Sequence, residues 1–159
     1  MSYAPRYTHK QLGWVTLAGC GVGLAIAVAV GARVLADLPR TSAVAAGVVL
    51  AVMALIAFAL GAFSSLTVTV DDACLELRFG PGWIRKTFKL ADIKSCRTVR
   101  NSPLLGWGIR WFPGGLLYNV SGLDAVELEM KNLKRYRIGT DEPQQLTSAI
   151  ENKLNKTRS

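Results

Sequence analysis

The chain has 159 residues, 50% of them hydrophobic, and a formal net charge of +8. That hydrophobicity is unusual for a soluble domain, and the excess falls almost wholly before residue 67, so the composition argues against a single soluble unit. Three cysteines without a CxxC pair and one histidine argue against a metal centre, which needs clustered ligands, and fit a reducing compartment.

Residues 1–13 read as an N-terminal tail, with His9 solvated within it. Trp14 to Ala32 carries no charge, and neither does Thr41 to Val70. A helix rises about 1.5 Å per residue, so roughly 20 residues cross a hydrocarbon core of about 30 Å. Two spans are predicted, about 14–36 and 43–64, forming a hairpin over 14–64 whose loop, Asp37 to Ser42, contains the helix-ending Pro39. A secretory signal is the competing reading of the first stretch. Its apolar core exceeds the usual 7–15 residues, however, and Arg33 interrupts the approach to a small-residue cleavage site near Ala36. Two spans put both termini on one side. Arg6 and Lys10 in the tail nearly balance Arg33 and Arg40 in the loop, and the terminal amine and the basic C-terminal region tip the termini toward the cytoplasm. Neither apolar run holds the intramembrane charge that marks a transport path, so a transporter or channel is not expected. Small residues recur at Gly19, Gly23, Ala27 and Gly31, and at Ala43, Gly47, Ala51, Ala57 and Gly61. They would let the two helices pack closely, or form a dimerisation face.

From Leu66 onward there are 15 Lys and Arg against 10 Asp and Glu, and the periodicity becomes that of strands. Pairing Val70 with Leu75, Val68 with Leu77 and Leu66 with Phe79 puts every apolar residue on one face of a hairpin. Gly80-Pro81-Gly82 makes a turn into a third strand, Trp83 to Leu90, and Ile93 to Arg100 reads as a fourth. A later hairpin pairs Val126 with Ile138 and Leu128 with Tyr136, which sets Glu127 opposite Arg137 and Glu129 opposite Arg135 as structural ion pairs. A single helix follows. Asp141 is its expected cap, with Pro143 in the first turn and Gln144 three residues after the cap, and Leu146, Ile150 and Leu154 form its apolar stripe. The expected fold is a membrane α-helical hairpin followed by a mainly-β domain over 66–155, with 156–159 as a C-terminal tail.

The run Gly106-Trp107-Gly108-Ile109-Arg110-Trp111-Phe112-Pro113-Gly114-Gly115, then Leu117 to Gly122, resembles the central segment of small bacterial PH-like domain proteins. Arg137 to Pro143 resembles their strand-to-helix junction. The resemblance spans about residues 66–155. It implies two packed, nearly orthogonal antiparallel sheets capped by the C-terminal helix, preceded by one or two membrane spans, in a bacterial inner (plasma) membrane. It implies no catalytic residues, and a homo-oligomer is an expectation from relatives that form rings. The first loop, where eukaryotic relatives bind phosphoinositides, is here the acidic Asp71-Asp72-Ala73.

Two surfaces are candidates for binding. Trp107, Arg110, Trp111, Phe112 and Tyr118 could anchor a protein partner or sit in the headgroup layer, and their plainer reading is a glycine-bent hairpin covering the barrel's open end. Arg85, Lys86, Lys89, Lys94, Arg97 and Arg100 could form a basic face for anionic lipid. No nucleophile, base and orienting group can be assembled, so no enzyme, cofactor, metal or small-molecule substrate is expected. Nucleic-acid binding would need tighter basic clusters with interleaved stacking aromatics. The expected role is a membrane-anchored binding or scaffolding module acting in protein interaction or self-assembly. Anionic-lipid recognition, or an accessory subunit of a membrane complex held by the hairpin, is the alternative.

Overall fold

A computed structural model describes residues 7–36 and 43–158. The readings placed on residues 1–6, on the 37–42 loop with Pro39 and Arg40, and on Ser159 lie outside them. Strand β1 (Tyr7–Leu12) leads directly into helix α1 (Trp14–Ala36). Helix α2 (Ala43–Phe63) leads back into β2 (Ser65–Val70). The segments Trp14–Val34 and Ala43–Phe63 are long and apolar enough to cross a membrane. The helices pack on each other through part of the small-residue stripe. A Cβ added at Gly31 would lie 3.3 Å from Val49, whereas one at Gly19 or Gly47 would meet nothing.

Strands β3 (Cys74–Phe79) and β4 (Ile84–Lys89) complete an antiparallel sheet of order β1-β2-β3-β4. The register of β2 on β3 is the one the alternation predicts, Val70 on Leu75 through Leu66 on Phe79. A second sheet holds β5 (Ile93–Arg100), β6 (Gly108–Phe112), β7 (Gly115–Asn119), β8 (Asp124–Met130) and β9 (Arg135–Gly139) in the order β5-β8-β9-β7-β6. The expected pairing of β8 with β9, Val126 on Ile138 and Leu128 on Tyr136, is present. Helix α3 (Pro143–Arg158) lays Leu146, Ile150 and Leu154 into one core with Leu66, Leu77 and Phe79 from the first sheet and Val126, Leu128 and Ile138 from the second.

Four expectations need correction. Residues 7–12 are not tail: Tyr7 to Leu12 pair in register with Val70 to Ser65, so β1 and β2 form a hairpin into which the two helices are inserted. Gly13 N donates to Ser64 O at 2.8 Å, closing the strand pair where the helix pair begins. The second sheet is mixed, because β7 runs parallel to β9. There the Arg135 backbone passes so close that a Cβ at Gly115 would collide with its carbonyl. Asp141 does not turn to the helix but to His9, whose Nε2 lies 2.6 Å from Asp141 Oδ1. Finally, residues 156–158 continue α3 instead of forming a tail.

Candidate functional site

The five aromatic-segment candidates divide into core and surface. Tyr118 is 6% exposed and sits among Phe79, Phe88 and Tyr136. Phe112 is 7% exposed, with the Arg137 guanidinium 4.4 Å from its ring centre. Both are removed from the candidate contact surface by burial. Trp107, half-buried, precedes β6, and Arg110 Nε donates to its carbonyl at 3.0 Å. Trp111 is 81% exposed.

Strand β6 explains why. It is the last strand of its sheet, so among the described residues one of its edges has no strand partner. Residues directly paired across strands share a face. Ile109 is paired with the buried Tyr118 and Trp111 with Leu116, so both point to the core side of the sheet. The four-stranded sheet does not cover that face at β6, and Ile109 remains 37% exposed beside Trp111. The result is an apolar lip next to an open strand edge. Unpaired strand edges invite another strand, and an exposed tryptophan supplies a large apolar anchor at low entropic cost.

The basic candidates come from two sheets. Arg85, Lys86 and Lys89 lie on β4, an edge of the first sheet, while Lys94, Arg97 and Arg100 lie on β5, an edge of the second. Lys94 pairs with Glu129 at 2.6 Å and Arg97 with Glu127 at 2.5 Å. Arg85 Nε donates to Gly82 O at 2.9 Å, and Lys86 stands 5.7 Å from the Phe88 ring centre. The expected cross-strand pair of Glu129 with Arg135 gives way to Lys94, because Arg135 Nη2 donates to Pro113 O at 2.8 Å and holds the β6–β7 turn.

Glu127 is the most buried acid on this sheet, at 3% exposure. It accepts from Arg137 Nε at 2.7 Å and from Arg97 Nε and Nη2, while Arg137 also donates to Asn101 Oδ1. Burial pushes its carboxyl up, but the hydrogen bonds and charges of Arg137 and Arg97 outweigh that and hold it below the ordinary value. Through these bonds the cluster ties β5, β8 and β9 together. Ser95, Cys96, Arg97, Glu127, Glu129, Leu133 and Arg135 line a shallow depression of about 520 Å³ over it. Among the described residues, no three His, Cys, Asp or Glu side chains are grouped to hold a metal ion. Burial first and Glu151 second raise the Cys96 thiol to about 11.

Comparison with family models, with curated proteins and with solved structures finds no match to this chain. What stands is the class of architecture: two helices able to span a membrane, inserted in a β-hairpin of a two-sheet domain closed by a C-terminal helix. The sequence signal for the β6 lip was the aromatic density of 107–118, but which aromatics stay outside depends on strand order, which alternation does not reveal.

Proposed function

We propose that this protein is a membrane-anchored scaffolding module of PH-like type that acts in protein interaction or self-assembly at the bilayer surface. Its anchor is the α1–α2 hairpin in a bacterial inner membrane, with both termini cytoplasmic. The zipped β1–β2 pair supports one side for both ends of the hairpin, and the basic domain supports the cytoplasmic side. The observation that carries the binding reading is Trp111, exposed on the core-side face of an edge strand. Adding an extended segment to β6 would pair its open edge through main-chain hydrogen bonds and cover Ile109 and Trp111. The test is cross-linking and native mass measurement of the full-length protein in lipid nanodiscs, with and without Trp111→Ala and Arg110→Ala together. Loss of a higher assembly or of a stoichiometric partner is expected. An unchanged mass and cross-linking pattern would sink the reading.

A further inference from the structure

We infer that the end of the β domain nearest the helices is itself a lipid contact, with the loop of residues 101–107 dipping into the headgroup layer of the bilayer that the hairpin spans. The inference rests on α1 and α2 crossing a bilayer, and not on the partner-binding reading of β6.

The strand directions set which loops lie at that end. Strand β1 runs toward the helices and β2 away from them, so the β3–β4 turn lies at the helix end and the Asp71–Ala73 turn at the far end. Contacts place the second sheet likewise. Ser121 Oγ donates to Leu12 O at 2.7 Å, and Gln11 Nε2 donates to Ser121 O at 3.2 Å. The 120–123 turn therefore touches the start of α1. Asn101 N donates to Leu123 O at 2.7 Å, so the 101–107 loop leaves from the same turn and returns at Gly108, paired with Asn119.

Two features fix the depth. The β3–β4 turn is seated on α2, where a Cβ at Gly80 would collide with the Gly61 carbonyl and one at Gly61 would lie 2.9 Å from the Trp83 ring. Trp83 stacks on Phe58 at 5.5 Å between ring centres with planes 8° apart. Phe58 lies five residues before the end of α2, which at 1.5 Å per residue is about 7.5 Å inside the apolar helix. Trp83, still 58% exposed, thus sits at the polar–apolar boundary, the depth that tryptophan favours. Trp14, the first residue of α1, is exposed as well, at 68%.

Leu104 stands at the tip of the 101–107 loop and is 97% exposed. The loop does not leave it loose, since Ser102 Oγ accepts from Leu104 N at 3.3 Å and a short 3₁₀ turn over Pro103–Leu105 holds the tip. Guanidinium groups are pinned to the two turns, Arg85 on Gly82 O and Arg110 on Trp107 O. Apolar tips flanked by arginine match a layer of lipid carbonyls and phosphates. The far end carries Asp71 and Asp72 in one turn, and in the other its exposed Leu133 stands between Lys131-Asn132 and Lys134. With three contacts on one bilayer, the domain is held in a fixed orientation. Trp111 then stands three residues, about 10 Å, farther from the membrane than Gly108.

The test uses the full-length protein in liposomes, with Cys20, Cys74 and Cys96 changed to Ala. Single cysteines replace Leu104, Leu133 or Leu55, and each carries an environment-sensitive fluorophore. Lipids spin-labelled high on the acyl chain are added as quencher, with iodide as the aqueous one. The expected result is a blue-shifted probe at 104, quenched by lipid nearly as strongly as the probe at 55 and sheltered from iodide, with the probe at 133 showing the reverse. If the probe at 104 behaves like that at 133, the loop lies in water and the inference is overturned. Shelter from iodide without lipid quenching would mean that protein covers the loop, which also overturns it. A probe at 55 left open to iodide and unquenched by lipid would overturn the membrane-spanning reading, and the inference with it. Because Leu104 is almost fully exposed, its replacement should leave the thermal unfolding of the domain unchanged, which serves as the folding control.

Discussion

Removing the Glu127 carboxylate should unfold this domain more readily than removing any other single charge on the second sheet. The carboxylate is 3% exposed and Arg137 20%, whereas Arg97 is 68% exposed. Glu127→Ala strands Arg137 in a partly dry position. Breaking a buried pair from one side costs about 3–5 kcal/mol. Arg137 keeps Asn101 Oδ1 and the face of Phe112, which lowers the expectation to about 3 kcal/mol. Glu127→Gln retains shape and one acceptor and should cost about 2 kcal/mol. Arg97→Ala removes a largely hydrated partner and should cost under about 1 kcal/mol. For a domain near 100 residues, each kcal/mol moves Tm by roughly 4–8 °C, so Glu127→Ala should lower Tm by about 12–24 °C. Thermal and urea unfolding of the full-length protein in mild detergent, followed by near-UV circular dichroism, would read the order. If Arg97→Ala costs as much as Glu127→Ala, or Glu127→Ala costs under about 1 kcal/mol, the carboxylate is not the buried hub assigned to it.

His9→Ala should free β1 from the start of α3, because His9 bridges Asp141 and Glu142 at 2.6 and 3.3 Å; amide exchange over residues 7–12 should quicken while that of β8 stays slow. Stability should be flat near neutrality and fall in acid. Glu127, Asp72 and Glu129 titrate below their unfolded values when folded, through Arg137 and Arg97, Lys153 and Lys94 respectively, so their contribution is complete above the unfolded carboxyl pKa and lost as pH falls through the folded one; a Tm that rises on acidification would contradict this. In alkali the sign reverses at Tyr7, raised to about 12 by burial first and then by Glu142 and Asp141, so stability should drain away between the unfolded tyrosine value near 10 and 12, as a urea titration would show. The Cys96 thiol, raised to about 11, should react with maleimide far more slowly near pH 8 than free cysteine does, as mass spectrometry of the labelled peptide would show.

Where the sequence alternates apolar with polar, register was readable to the residue, as in Leu66–Phe79 and Val126–Ile138. The helices were readable for a cruder reason, since segments of 21 residues with so high a mean hydropathy have few other uses. Strand β1 escaped because its alternation is inverted: Gln11 is 5% exposed and Leu12 43%. Its inward side chains are Tyr7, His9 and Gln11; His9 meets Asp141 and the Gln11 amide nitrogen donates to the Ser121 carbonyl, both far along the chain. A pattern of hydrophobicity cannot register a face made buryable by distant partners. The same limit applied to the candidate sites. Glu127 was rightly set opposite Arg137, but Arg97 joined them from a strand whose neighbour in the sheet no local pattern names.

The inserted position of the helices gives a sharp expectation about dissection. A fragment of residues 66–159 lacks β1, so it bares the edge of β2 from Leu66 to Val70 and loses the Gln11 and His9 contacts. Phe63, packed on Phe79 at 5.7 Å, goes as well. Such a fragment should aggregate or unfold, because an uncovered apolar edge recruits other strands. The geometry also supplies the repair. Leu12 is paired with Ser65, and only Gly13 and Ser64 stand between that pair and the helices. Residues 7–12 joined to 65–159 through Asn-Gly would close β1 on β2 with a two-residue turn whose twist suits a hairpin. The repaired chain should be monomeric and unfold cooperatively, though less stably than the full-length protein for want of Phe63. If residues 66–159 alone unfold at the same urea midpoint as the repaired chain, β1 is dispensable, and the reading of this protein as a β-hairpin with a membrane excursion inserted at its turn is wrong.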